Sequence, residues 1–185
     1  MPPIVLTVGH STRPLEEFVH LLDAHGVQLL VDVRTVPRSR HNPQFNKESL
    51  PRELEPAGIA YTHMPSLGGL RHPRKDSLNL GWRNAGFRGF ADYMQTPAFK
   101  AALTNLIMMA EKERVAIMCT EALPWRCHRS LIADALLARG VRVEDVFSLT
   151  STQPHRQTPF AHVFGTEVTY PGLPFAEQES TEKSS

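Results

Sequence analysis

Five short runs of β-branched and aliphatic residues punctuate the chain, at residues 4–8, 29–33, 59–64, 115–119 and 141–147, and between them apolar residues fall at helical spacing. Runs such as Leu29-Leu30-Val31-Asp32-Val33 and Val115-Ala116-Ile117-Met118-Cys119 are almost continuously apolar, the pattern of strands buried on both faces. Strands separated by helices imply crossovers and parallel pairing. The expected architecture is α/β: a single three-layer, Rossmann-like domain with a mostly parallel sheet of about five strands.

The first helix is expected over residues 15–22, with Ser11 or Thr12 as an N-cap oxygen ahead of Pro14 and a stop near Gly26. Others are expected at residues 47–54, 87–93, 97–110 and 131–137, the last ended by Gly140. Residues 66–84 show no period and are rich in Gly, Arg and Trp, so they read as a long loop that covers a site. The α/β core takes residues 1–150. Residues 151–174 form an extension with a small hairpin near 163–170, and 175–185 a disordered tail.

A chain of 185 residues can bury one core without staples. No apolar run reaches the roughly 18 residues of a membrane span, and no leader is recognisable, so a cytoplasmic protein without membrane contact is expected. Cys119 and Cys127 are too few for a disulfide framework and read as thiols or ligands. The net charge of +1 hides a skew: residues 34–90 hold ten Lys/Arg against four Asp/Glu, a local surplus that can draw phosphates or nucleic acid.

In open parallel sheets, ligands bind beyond the carboxyl ends of the strands. Those ends are polar here: Gly9-His10-Ser11, Asp32-Val33-Arg34, Leu67-Gly68-Gly69 and Cys119-Thr120-Glu121. Three chemistries fit the segment from Cys119 to Arg129. Cys119, Cys127 and His128 could hold a transition metal, although their spacing is looser than in a zinc knuckle. A thiol-phosphatase loop fits poorly, because six residues separate Cys119 from Arg126 where five are expected. The preferred reading makes Cys119 a small buried hydrophobe and Glu121 a carboxylate in the pocket, with His128 and Arg129 at a helix N-terminus facing an anion.

Asp32 and Glu121, on different strands but facing one crevice, are expected to act as acid and base, with His10 as a further proton carrier. The plainer alternatives are that Asp32 pairs with Arg34 or caps backbone, and that His10 bonds Ser11 or the backbone. Arg34, Arg38, Arg83, Arg126 and Arg129, with Ser11, Gly68, Gly69 and Trp125, make up the expected substrate-binding set.

Taken together, the segments above, with Asn42-Pro43-Gln44-Phe45-Asn46, residues 87–94, His155 and Thr169-Tyr170-Pro171, resemble the bacterial family called domain of unknown function 488. The resemblance runs over residues 4–171. It implies an intracellular α/β fold and no settled reaction. Leu70 departs from the basic residue expected after the glycine pair. The leading functional expectation is an enzyme that binds an anionic nucleotide or nucleic acid and performs hydrolysis or group transfer, using Glu121 and Asp32 with His10 and His128, and no cofactor. The alternatives are a metal-binding or thiol redox-sensing module on Cys119, Cys127 and His128, and nucleic-acid binding without catalysis.

Overall fold

Each of the five apolar runs forms a strand, and the period-two alternation of a strand decides which layer each side chain enters. The structure is a computed structural model and describes residues 2–172; the tail expected at 175–185 lies outside the described residues. In chain order the elements are β1 (Ile4–Gly9), α1 (Leu15–Ala24), β2 (Leu29–Asp32), α2 (Leu50–Leu54), β3 (Ala60–His63), α3 (Ala85–Met94), α4 (Pro97–Lys112), β4 (Val115–Cys119), α5 (Arg129–Leu137), β5 (Arg142–Val146), β6 (Thr152–Pro154), β7 (His162–Phe164) and β8 (Glu167–Thr169).

The sheet runs β3-β2-β4-β1-β5-β6, with β5 and β6 antiparallel and the other neighbours parallel. The sixth strand comes from the segment expected to be an extension. The hairpin near residue 165 is present as β7 and β8, with Gly165 at positive φ in its turn. The capping of α1 and the start of α2 differ from expectation. α1 begins after Pro14 with no side-chain cap, because Ser11 turns away in a left-handed conformation and its N–H donates to the Thr120 carbonyl. α2 begins at Leu50, since residues 46–49 are taken up by turns.

Val5, Leu29, Val31, Val115, Ile117 and Cys119 point to the layer of α3, α4 and α5. Leu6, Val8, Leu30, Ala116 and Met118 point to the opposite layer, with α1, α2 and Phe45. The chain therefore leaves β4 toward one face, into α5, whereas both neighbours, β1 and β2, send it toward the other. Such a divergence opens a crevice beyond the strand ends. Gly9 is required there: a Cβ would stand 1.7 Å from the Glu121 carbonyl oxygen, so only glycine lets the end of β1 meet the loop after β4.

The long loop is held from beneath by one carboxylate. Asp92 of α3 accepts from the Arg74 N–H, the Ser77 hydroxyl and the Asn79 amide, and Asn79 in turn accepts from the Tyr170 N–H. Asp92 thus fixes the loop against the C-terminal segment.

Candidate active site

Beyond β4 lies a cavity of about 380 Å³, whose polar lining includes Arg34, Asn84, Thr120, Glu121, Arg126 and His128, together with Cys119 and Cys127, both of them buried, as expected of Cys119. Gly69 completes one wall. A Cβ at Gly69 would meet the His128 ring at 2.6 Å, so the glycine lets the loop close over the imidazole.

The floor is built on Arg129, which is fully buried. Its guanidinium donates to Cys119 Sγ at 2.6 Å, to Thr7 Oγ1, and to the Glu121 and Ala122 carbonyls. It faces the thiol from within the protein rather than an anion in the crevice, which corrects its expected role. Burial pushes the Cys119 thiol up, but a hydrogen bond with Cys127 and the charge and hydrogen bond of Arg129 outweigh that and bring it down to about 7. Burial, then the hydrogen bond to Cys119 and its charge, push the Cys127 thiol well up. His128 Nε2 lies 2.9 Å from the Val33 carbonyl and 3.0 Å from that of Leu67. Nε2 therefore carries the proton and Nδ1 is free to accept, 3.5 Å from Cys127 Sγ.

Asp32 and His10 sit elsewhere. Asp32 follows Leu30 in parity and points to the layer opposite Cys119, fully buried. Its carboxylate accepts two hydrogen bonds from the Arg34 guanidinium, one from the Arg34 N–H and one from the Tyr61 hydroxyl. His10 is also fully buried; it stacks on Phe45, with Nδ1 on the Ser11 carbonyl and Nε2 facing Arg34. Closed pairings of this kind leave no lone pair for a substrate. Both residues position Arg34, whose guanidinium spans from Asp32 to the Phe45 carbonyl.

Of the remaining expected residues, Ser11 and Gly68 lie outside the crevice lining, Gly68 because it packs on Thr35. Arg38 is paired with Glu48 on the surface. Arg83 is exposed beside Asn84 of the rim. Trp125 faces a second cavity of about 660 Å³, which it shares with Trp82, Phe147, His155, Arg156 and Phe160. As for a metal at Cys119, Cys127 and His128, the described residues contain no group of three or more His, Cys, Asp and Glu side chains able to hold one, and the Arg129 cation lies against Cys119. No helix among the described residues is long and apolar enough to cross a membrane.

The model of the family described as domain of unknown function DUF488 matches residues 14–136, well over half of the chain. The chain belongs to the DUF488 family. No curated protein and no solved structure matches it. The DUF488 match takes in every crevice residue named above, from Arg34 to His128, and ends before His155.

His155 belongs to a network that sequence reasoning did not assemble in this DUF488 chain. Its two ring nitrogens face Asp134 at 2.9 Å and Asp145 at 3.2 Å, so both can donate only from the imidazolium. Asp134 also accepts from the Tyr170 and Thr158 hydroxyls, and Asp145 from Thr7, which contacts Arg129. His155 is thus the cation that contacts both carboxylates, and Arg129 reaches Asp145 through the Thr7 hydroxyl. Against the pull of burial, hydrogen bonds donated to both carboxylates raise His155 to about 9. Burial lowers His10 and His128 to about 4.

These shifts predict how stability varies with pH. Between pH 4 and 6.5 the unfolded chain binds the protons that native His10 and His128 refuse, so stability rises with pH. Between 6.5 and 9 native His155 keeps a proton that the unfolded chain has lost, which lowers stability, while above 7 native Cys119 has given up a proton that the unfolded chain keeps, which raises it. Urea denaturation should therefore show an acid limb and a nearly level region from about pH 7 to 9; Cys119→Ser should expose the fall due to His155, and adding His155→Gln should remove it.

Proposed function

We propose that the protein is an enzyme whose strand-end crevice binds a small anionic molecule and whose Cys119 attacks it as a thiolate, in a group-transfer or hydrolytic reaction. The observation that carries this reading is the contact of 2.6 Å between Arg129 Nη1 and Cys119 Sγ at the floor of an open cavity. Reactive cysteines are those whose thiolate is favoured by a neighbouring cation and reached from solvent. The volume of about 380 Å³ falls in the range of small-molecule sites.

Arg126 supports the anionic preference, since it lines the cavity, is exposed, and makes no ion pair among the described residues. Glu121, exposed and lining the same cavity, is the remaining carboxylate for proton transfer. A nucleotide is compatible with this set. A nucleic-acid strand finds less support, because Arg34 and Arg129 are used internally and Arg38 is paired. Two free thiols suit a reducing compartment such as the cytoplasm.

The test uses iodoacetate and its neutral analogue iodoacetamide, each rate divided by that for free cysteine. Cys119 should be the residue alkylated, with an excess for iodoacetate of about two- to fivefold, the effect of one exposed charge worth roughly 0.5–1 kcal/mol. Arg126→Ala should remove the excess and Cys119→Ser the labelling. Alkylation of Cys127 first, or of neither thiol in the folded protein, would contradict the reading.

A further inference from the structure

We propose that Cys119 and Cys127 act as a dithiol pair that reduces a small carboxylate-bearing disulfide, closing a bond between themselves as they do so. This rests on the reading of Cys119 as nucleophile and extends it to the second thiol and to the substrate class.

A single thiolate suffices for acyl or phosphoryl transfer. Here a second thiol lines the same cavity, Arg129 reaches both sulfurs, Cys119 with its guanidinium and Cys127 with its backbone N–H, and beside Cys127 stands an imidazole nitrogen that can accept its S–H. The His128 ring is fixed in that sense by its two carbonyl partners, Val33 and Leu67, which occupy the Nε2–H. Nδ1 therefore faces Cys127 Sγ as an acceptor. The Arg129 N–H also points at Cys127 Sγ, at 3.5 Å, so a thiolate formed there gains a donor as well as the nearby guanidinium. A one-thiol reaction at Cys119 leaves Cys127 without a role. Resolution of a mixed disulfide uses it.

The Cys119 thiolate attacks one sulfur of the substrate disulfide, forming a Cys119–substrate disulfide and expelling a thiolate. Cys127, its S–H directed at His128 Nδ1, attacks Cys119 Sγ as its proton passes to the leaving substrate sulfur. The Cys119–Cys127 bond forms, and the second substrate thiolate leaves with that proton. The substrate gains two electrons and the dithiol loses the same two, so no other oxidant or reductant takes part in this half-reaction. The order is built into the site. While Cys119 is a thiolate, its charge and its hydrogen bond hold the Cys127 proton in place. Once Cys119 is capped that restraint is gone, and Arg129 remains to favour the Cys127 thiolate. Arg126 on the cavity wall selects a substrate with carboxylates.

The experiment treats the reduced full-length protein with dithiodipropionate, with neutral hydroxyethyl disulfide as the comparison, and reads both thiols by peptide mass spectrometry. Wild type should lose both thiols together and yield a Cys119–Cys127 crosslinked peptide, about two- to fivefold faster with the dicarboxylate. Cys127→Ser should instead retain a substrate adduct on Cys119. A wild-type adduct that persists on Cys119, or first attack by Cys127, overturns the dithiol proposal. Iodoacetate labelling of the same wild-type sample separates the two levels: if Cys119 alkylates but no internal disulfide closes, only the pairing fails, and if Cys119 does not alkylate, both fail.

Discussion

Arg129→Met is expected to return the Cys119 thiol to the ordinary cysteine range and to cost about 3–5 kcal/mol of stability, the penalty for opening a buried charge network. The side chain is fully buried and joins three parts of the fold. It reaches Thr7 of β1, the Cys119 sulfur of β4 and the two carbonyls of the loop after β4. Its removal strands those carbonyls and takes away the donor to the Thr7 hydroxyl, which itself donates to Asp145. Arg129→Lys separates the two effects. It keeps a cation near Cys119 but lacks the planar fork that serves several acceptors at once, so thiol reactivity at pH 7 should persist in part while the melting temperature still drops. Thiol alkylation against pH, with thermal denaturation of each variant, gives both numbers.

Asp32→Ala should also cost about 3–5 kcal/mol, because it leaves the Arg34 guanidinium charged and unpaired in the interior. For a domain of this size that is a fall of roughly 6–20 °C in melting temperature. The Tyr61 hydroxyl loses its acceptor as well. The substitution discriminates between two roles for Asp32. A catalytic base would leave a stable, inert protein when replaced by Asn. A positioning residue, as its closed pairing indicates, gives an unstable protein whose folded fraction still alkylates at Cys119.

The strands and the layers were legible because parallel, two-sided burial writes long apolar runs that few other structures need. β4 begins and ends where its run does. β6 was not legible: Thr152, Gln153 and Pro154 carry no strand pattern, and they pair only because β5 offers an open edge. In the site, the parity of β2 and β4 was available in the sequence. Counting alternately from Leu30 sends Asp32 away from the face that Val115, Ile117 and Cys119 share. The polar strand ends read as one set along the sequence but belong to two layers. The reach of Arg129 back beneath Cys119, and that of Tyr170 and His155 to Asp134, join residues up to 122 positions apart; no local spacing encodes such contacts.

The most direct test of the account is the rate of Cys119 alkylation by iodoacetamide as a function of pH, followed on the intact protein by mass spectrometry. A thiolate held by Arg129 predicts a rate that rises with a midpoint near 7. A midpoint at or above about 8.5, the value of a free thiol, or a Cys119 that stays unlabelled until the protein unfolds, would contradict it.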